Sequence, residues 1–413
     1  MKINTCLLRM FLIMAVLSSC QNSGKKKNTN DAYPKGTFGY DLNFIQKHQN
    51  AVLLQRDQSR VLIDPEFQGR VLTSSAGGAD GRSFGWINYS LIESGKTVPH
   101  FNNYGGEERL WLGPEGGQFS LFFPSGAPFT FENWQVPALF DTDPFELVEA
   151  NDTLAIFRKE GQLTNYNGFQ FSFRINRSVQ ILERSVISKK INLPIPESLQ
   201  LIGYESTNEL INTGSMSWDE ESGLLSIWML GQLISSPTNV VLIPYQSGPV
   251  DSLGQIVKDD YFGKVPADRL KITEHLILFK ADGLKRSKIG LNPRRAKNYL
   301  GSYDYGQKVL TVVFYSKPEA KHGYVNSMWK MQEKPYEGDV INSYNDGPLE
   351  DGTQLGPFYE LETSSPAAAL KPGESIIHTN LTIHLTGSET DLEPLIQTLF
   401  GLGIEEIKHI FAL

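Results

Sequence analysis

The stretch FQFSFRINRSVQI, residues 169–181, constrains the fold more than any other part of the chain. Phe169, Phe171, Phe173 and Ile175 fall on one side of an extended backbone, and Ser172 and Arg174 on the other. Side chains alternate across a strand with period two, so this pattern buries one face and wets the other, as a half-buried antiparallel strand does. Comparable segments recur along the chain. AVLLQ, RVLIDP, GRVLTSSAGG, FSLFFP, LAIFRKEG, ISKKINL, LLSIWMLGQL, VVLIPYQ, LILFKA, KVLTVVFYS and SIIHTNLTIHL are rich in β-branched or aromatic residues and bounded by Gly, Pro, Asn or Asp. Helical patterning shows at Asp41–His48 and in the tail GSETDLEPLIQTLFGLG, which has a start signal at Ser388 or Thr390 and an apolar stripe at Leu392, Leu395 and Leu399. Many strands without crossover helices predict an all-β fold: one large antiparallel sandwich over residues 38–387, closed by a short helical tail over 388–413.

The first residues read as a processing segment. Lys2 and Arg9 precede a short apolar run ending in Leu17-Ser18-Ser19-Cys20, which resembles a bacterial lipobox. Residues 1–19 are therefore expected to be a lipoprotein signal peptide, with Cys20 carrying the lipid that anchors the chain to a membrane. The only other cysteine, Cys6, lies in the removed part, so no disulfide is expected. Residues 20–37, polar and Lys-rich, read as a flexible tether. Without an acidic export run after Cys20, the expected location is the cell envelope of a Gram-negative bacterium, at the outer membrane facing the periplasm. A net charge of −8 excludes an extended phosphate-binding surface, so nucleic acid is not an expected partner.

Two segments concentrate polar chemistry. HFNNYGGEERLWLGPEGGQFSLFF, residues 100–123, sets His100, Asn102, Arg109, Trp111 and Glu115 among paired glycines. Glycine lets the backbone turn and approach a ligand, the Arg109 fork can hold vicinal hydroxyls, and Trp111 offers a flat face to a sugar ring. The alternative is a loop whose acids pair locally, with Trp111 in the core. The long segment 327–360 contains Trp329, Tyr336, Tyr344, Asn345 and Asp346, placed either to close over a sugar or, at Asn345-Asp346-Gly347, to form a plain turn. Asp346 with Glu350 and Asp351 has oxygen ligands suited to Ca²⁺. His378 and His384 face one side of the last strand but stand too far apart for one ion. Neither a metal nor any other cofactor is called for.

LETSSPAAALKPGES, residues 361–375, resembles the C-terminal strand and turn of the galactose mutarotases (aldose 1-epimerases), with Leu-Glu-Thr, a Pro a few residues on, and Leu-x-Pro-Gly-Glu before the final strand. The resemblance is one of pattern over most of residues 40–386. It implies a galactose mutarotase-like β-supersandwich with a carbohydrate cleft. It also implies that Glu362 is the base acting on the anomeric hydroxyl, sharing a hollow with Arg109 and Trp111. The family's general-acid His falls within GLLSIWMLGQL, residues 223–233, where this chain has Trp228 or Met229 instead. Trp donates a hydrogen bond but yields no proton near neutral pH, so His100 or His322 would have to supply the acid. Two expectations follow: a carbohydrate-active enzyme, or a non-catalytic sugar-binding or structural envelope lipoprotein.

Overall fold

The computed structural model describes residues 33–411. The leader, Cys20 and most of the tether lie outside the described residues. Among the described residues the strands are β1 (Val52–Arg56), β2 (Ser59–Asp64), β3 (Arg70–Ser75), β4 (Arg109–Gly113), β5 (Glu146–Ala150), β6 (Leu154–Thr164), β7 (Gln170–Ile181), β8 (Gln200–Asn212) and β9 (Ser226–Ile234). They continue as β10 (Asn239–Pro244), β11 (Leu270–Ile272), β12 (Leu276–Lys280), β13 (Ser287–Leu291), β14 (Tyr299–Asp304), β15 (Val309–Tyr315), β16 (Ile341–Asn345), β17 (Phe358–Ser364) and β18 (Ser375–Thr386). They form a three-stranded sheet β1-β2-β3, a ten-stranded sheet β11-β12-β10-β14-β15-β18-β8-β7-β6-β5 and a five-stranded sheet β13-β16-β17-β9-β4. The fold is all-β, as the alternating segments predict, and the pairings within these sheets are antiparallel.

Apolar burial orders the layers. Leu233, Ile289, Ile341, Tyr359 and Leu361 of the small sheet pack with Val241, Ile243, Ile277, Phe279 and Val313 of the large one. The opposite face of the large sheet is covered by the tail. Helix Glu389–Phe400, capped by the Ser388 side chain, seats Leu392, Leu395, Ile396 and Leu399 against Val240, Leu278, Leu310 and Ile383. Each such side chain contributes roughly 1.5–3 kcal/mol on leaving water, enough to hold this sheet region buried on both faces. Near the N-terminus, helix Phe38–His48 packs Phe38, Phe44 and Ile45 on Leu62 and Leu72.

Two expected strands are something else. ISKKINL lies in helix Arg184–Ile191, which ends at Asn192 in the left-handed conformation. Ile187 and Ile191, four apart, share a helical face, and a Cβ at Gly203 would stand 2.4 Å from Ile187 Cδ1, so the helix docks where β8 has no side chain. FSLFFP is a buried turn: Leu121 N–H bonds to Pro114 O and Gln135 N–H to Phe122 O, giving no ladder. On β7, Phe171, Phe173 and Ile175 are buried as the alternation requires, and so is Arg177. Its guanidinium bonds to Glu108 Oε1 at 2.8 Å, Asn208 Oδ1 at 2.6 Å and Gly69 O at 2.9 Å, so the inward charge is fully partnered.

Candidate functional site

Register places the polar residues of the five-stranded sheet on one face. Residues directly opposite each other in antiparallel strands share a face, and the pairs run Arg109–Leu230, Leu230–Glu362, Glu362–Asn342 and Asn342–Gly290. Two residues along each strand come Trp111–Trp228–Ser364 on one side and Gln232–Glu360–Tyr344–Lys288 on the other. The residues between them, Leu110, Met229, Leu361 and Ile289, face the core. A sheet with one apolar and one polar-aromatic face thus follows from period-two alternation alone.

Glu362 sits at the centre of this face and is 0% exposed. Trp228 Nε1 donates to its Oε2 at 3.0 Å, and Lys288 Nζ lies 3.0 Å from both Oε2 and Oε1. Burial pulls the Lys288 ammonium down, but Glu362, Glu115 and Glu360 outweigh it and leave it above the usual lysine value. Lys288 Nζ also stands 5.2 Å from the Trp228 ring centre. Beside this pair, Arg109 Nη2 donates to Glu360 Oε1 at 2.5 Å, and its guanidinium lies 5.2 Å from the Trp111 ring and 5.6 Å from Phe101. Burial lowers the Arg109 pKa, and Glu360 and Glu362 raise it in part. Burial pushes the Glu360 carboxyl up to about 7, against the pull of Arg109. Arg109 Nε and Nη1 and Trp111 Nε1 are enclosed with no hydrogen-bond partner among the described residues.

The mouth of the face is formed by half-buried groups: Glu115, Lys288, Tyr261, Asp339, Asn342 and Trp329. Glu115 follows β4, with its N–H donating to Ser327 Oγ at 3.2 Å. Burial raises its carboxyl, opposed by Lys288 and by the Trp329 and Trp134 indoles, whereas the nearby Glu362 raises it further. Tyr261 Oη donates to Asp339 Oδ2, and Asn342 Nδ2 donates to Tyr261 Oη at 3.2 Å. The Trp134 and Trp329 rings stack at 5.8 Å above Phe122 and Phe123.

Of the residues singled out in the sequence, Glu362, Arg109, Trp111, Trp228 and Glu115 come together. The open hollow expected around Glu362 is closed: Lys288 and Trp228 cap the acid, and a groove of about 830 Å³ among the described residues lies elsewhere, lined by residues such as Arg56, Leu182, Arg184 and Leu201. His100 is not at Glu362. Its Nδ1 lies 2.6 Å from Trp134 O and its ring 5.0 Å from Phe131, behind the aromatic wall. Asn102 is occupied by Asp141, through its N–H at 2.9 Å and its Nδ2 at 2.6 Å. Asn345, one residue from Tyr344, faces away and holds Gly283 N–H and Lys285 O. Asp346 accepts from Tyr344 Oη at 2.5 Å and from Gly356 N–H at 2.9 Å, which ties down the following loop, and among the described residues it is not grouped with Glu350 and Asp351 as a metal site would need. His322 is exposed, on Glu220. His378 and His384 are buried between the sheets, on Thr363 and Glu107 respectively.

The sequence reading missed Glu360, Lys288, Tyr261 and Asp339. Glu360 was legible, since it stands two residues before Glu362 and so shares its face. Lys288 carries no local signal, because its place depends on the pairing of β13 with β16.

The profile of DUF6786, a family of unknown function, matches residues 36–411. No curated protein matches the chain. Similar solved structures include a galactose mutarotase-like protein from Lactobacillus casei (12% identity, 81% of this chain and 100% of that one, TM-score 0.47). They also include a galactose mutarotase related enzyme from Lactobacillus acidophilus (10% identity, 82% and 98%, TM-score 0.46) and the Slr1438 protein from Synechocystis (12% identity, 82% and 96%, TM-score 0.49). These likenesses concern the layout of the sheets and assign no residue a role.

Proposed function

The chain belongs to the DUF6786 family, and we propose that this member binds a sugar on the polar face of its five-stranded sheet, with Glu362 as the base that takes the anomeric proton. The observation that carries this reading is the seat of Glu362: mid-strand, fully enclosed, with Trp228 and Lys288 on its oxygens. Around it stand the rings of Trp111 and Trp228, both buried and packed edge-to-face, and the unpartnered donors of Arg109 and Trp111, which suit ring hydroxyls. Four acids (Glu115, Asp339, Glu360, Glu362) against Arg109 and Lys288 disfavour an anionic ligand. The sugar reaches Glu362 as the Lys288 side chain, 12% exposed and the more accessible partner of the pair, gives up one carboxylate oxygen.

The Lys288–Glu362 pair also favours a second reading, a binding protein without turnover, because Lys288 and Trp228 occupy the carboxylate oxygens that would have to meet the anomeric hydroxyl. The test is titration of the full chain with galactose, glucose, xylose and N-acetylglucosamine, alongside measurement of anomer exchange. Turnover that is lost in Glu362→Gln while binding remains supports the enzyme. Binding with no turnover in the wild type supports the binding protein, and no binding by any of the four removes both.

The lipobox-like Leu17-Ser18-Ser19-Cys20 supports a lipid anchor at Cys20 in a Gram-negative envelope. Mass spectrometry of membrane-extracted chain should find an acylated N-terminal Cys20. A Cys20→Ala variant released into the soluble fraction agrees with the anchor, and equal membrane retention of that variant counts against it.

A further inference from the structure

The seat at Glu362 accounts for one sugar ring, but the aromatic groups at its mouth continue outward. The segment PFTFENW, residues 128–134, turns through a 3₁₀ element at Phe131–Asn133. Trp134 N–H bonds to Thr130 O at 3.1 Å and Asn133 Nδ2 to Pro128 O at 3.1 Å, which fixes the turn. Side chains three apart eclipse in such a turn. Phe131 and Trp134 therefore lie side by side, with ring centres 6.0 Å apart and planes 22° from parallel. Trp329 extends the row, 5.8 Å from Trp134 at 25°. It stands at the mouth, two residues after Ser327, whose hydroxyl holds the Glu115 N–H. On its inner side the row joins the polar face through Phe101, 6.1 Å from Trp134 and 5.4 Å from Trp111.

The row has the features of a ledge for a ligand. It runs from half-buried Trp329 through enclosed Trp134 to Phe131, which is 57% exposed. A lone exposed apolar side chain is ordinary, whereas an exposed ring that ends a packed row leading to a polar cleft marks a contact site. Trp134 is 8% exposed, and its Nε1 completes no hydrogen bond among the described residues, although the Glu115 carboxyl feels its dipole. An enclosed donor left without an acceptor costs free energy that a ligand hydroxyl would recover. Phe262, a second exposed ring, differs. It lies on the β13 side, edge-on to Tyr344, and the Arg286 guanidinium covers it at 4.1 Å. The row that continues from Trp111 is the one on the β4 side.

Resting on the sugar-site reading above, we infer that the ligand is a neutral oligosaccharide, with its reducing-end unit in the seat at Glu362 and its next units along Trp329, Trp134 and Phe131. The reducing end belongs at Glu362 because that unit alone carries a free anomeric hydroxyl. Beyond it, the apolar C–H face of a pyranose lies on Phe131, and a hydroxyl takes up Trp134 Nε1. Chains of uronic or sulfated sugars are disfavoured by the same acids that disfavour an anion at the seat.

The test measures, by calorimetry on the full chain, the affinity for galactose, glucose, xylose and N-acetylglucosamine and for the α- and β-1,4-linked trisaccharides of each. At least one trisaccharide is expected to bind about 10-fold tighter than its monosaccharide. Phe131→Ala should remove that gain while monosaccharide affinity and the urea midpoint are kept. Phe131→Trp and Phe262→Ala should both retain it, and reduction of the terminal unit to the alditol should abolish it. Trisaccharides that bind no tighter than monosaccharides, or a gain that survives Phe131→Ala or disappears in Phe262→Ala, overturn the ledge and leave the sugar site standing. An alditol bound as tightly as its parent also overturns the proposed placement. A Phe131→Ala variant that changes the molecular mass in solution and not the affinity makes the row a contact between copies of the chain, which overturns it too. Absence of binding by monosaccharides and trisaccharides alike removes the sugar site itself.

Discussion

Lys288 Nζ lies 3.0 Å from both carboxylate oxygens of Glu362, joining the outer strand β13 to β17 two strands away. The pair is almost fully desolvated. Removing one partner of such a pair leaves a buried charge unpaired, which costs more than the pair itself contributes. Lys288→Met is therefore expected to destabilise the fold by about 3 kcal/mol, and the double variant Lys288→Met/Glu362→Gln to recover a large part of that. Urea midpoints of the two singles and the double decide it. Additive losses would mean that the contact carries no coupling.

The Arg177–Glu108 pair should behave in the same way at a purely structural position. Arg177 is enclosed and its guanidinium bonds to Glu108, Asn208 and Gly69 O. Arg177→Met leaves Glu108 facing apolar surroundings and should cost about 3–5 kcal/mol without changing sugar affinity per folded molecule. A loss under about 1 kcal/mol would indicate that β7 shifts to let water in.

Acid pH should act through Asp41, which locks helix Phe38–His48 to Ser83 and Tyr89. Burial raises its pKa from 3.8 to about 6. A carboxyl raised in the folded state stabilises fully below its unfolded pKa, and that contribution is lost as pH rises through the folded value. The wild type should therefore lose about 3 kcal/mol from this group between roughly pH 4 and 7, and Asp41→Asn should not. His378, lowered to about 3 by burial, works in the opposite sense, its contribution being present above 6.5 and lost as pH falls toward 3. The comparison of Asp41→Asn with the wild type cancels the His378 effect. Parallel urea-midpoint curves for the two proteins across this range would show that Asp41 is not the titrating group.

What the sequence made legible follows the range of the interactions concerned. Alternation in FQFSFRINRSVQI marked β7, and the Ser388 cap with Leu392, Leu395 and Leu399 marked the tail helix, because both signals are local. ISKKINL was misread because β-branched content suits a strand as well as a helix, and the deciding contact, Ile187 against Gly203, is non-local. At the site, strand β17 with Glu362 could be read from residues 358–364, and Arg109 with Trp111 from β4. Lys288 could not, since a lysine in a short strand reads as solvent-facing until register puts it opposite Tyr344. Asn345 and Asp346 looked like ligand groups in a long loop. Instead they hold the backbone at Gly283 and Gly356, as buried polar side chains in loops often do.

The most direct measurement is a crystal structure of the chain soaked with whichever of the four sugars binds best. The account predicts a ring against Trp111 and Trp228, with its anomeric oxygen about 2.6–3.2 Å from a Glu362 oxygen and Lys288 moved aside. A sugar seated instead in the groove lined by Arg56 and Arg184, with Lys288 still straddling Glu362, would contradict it.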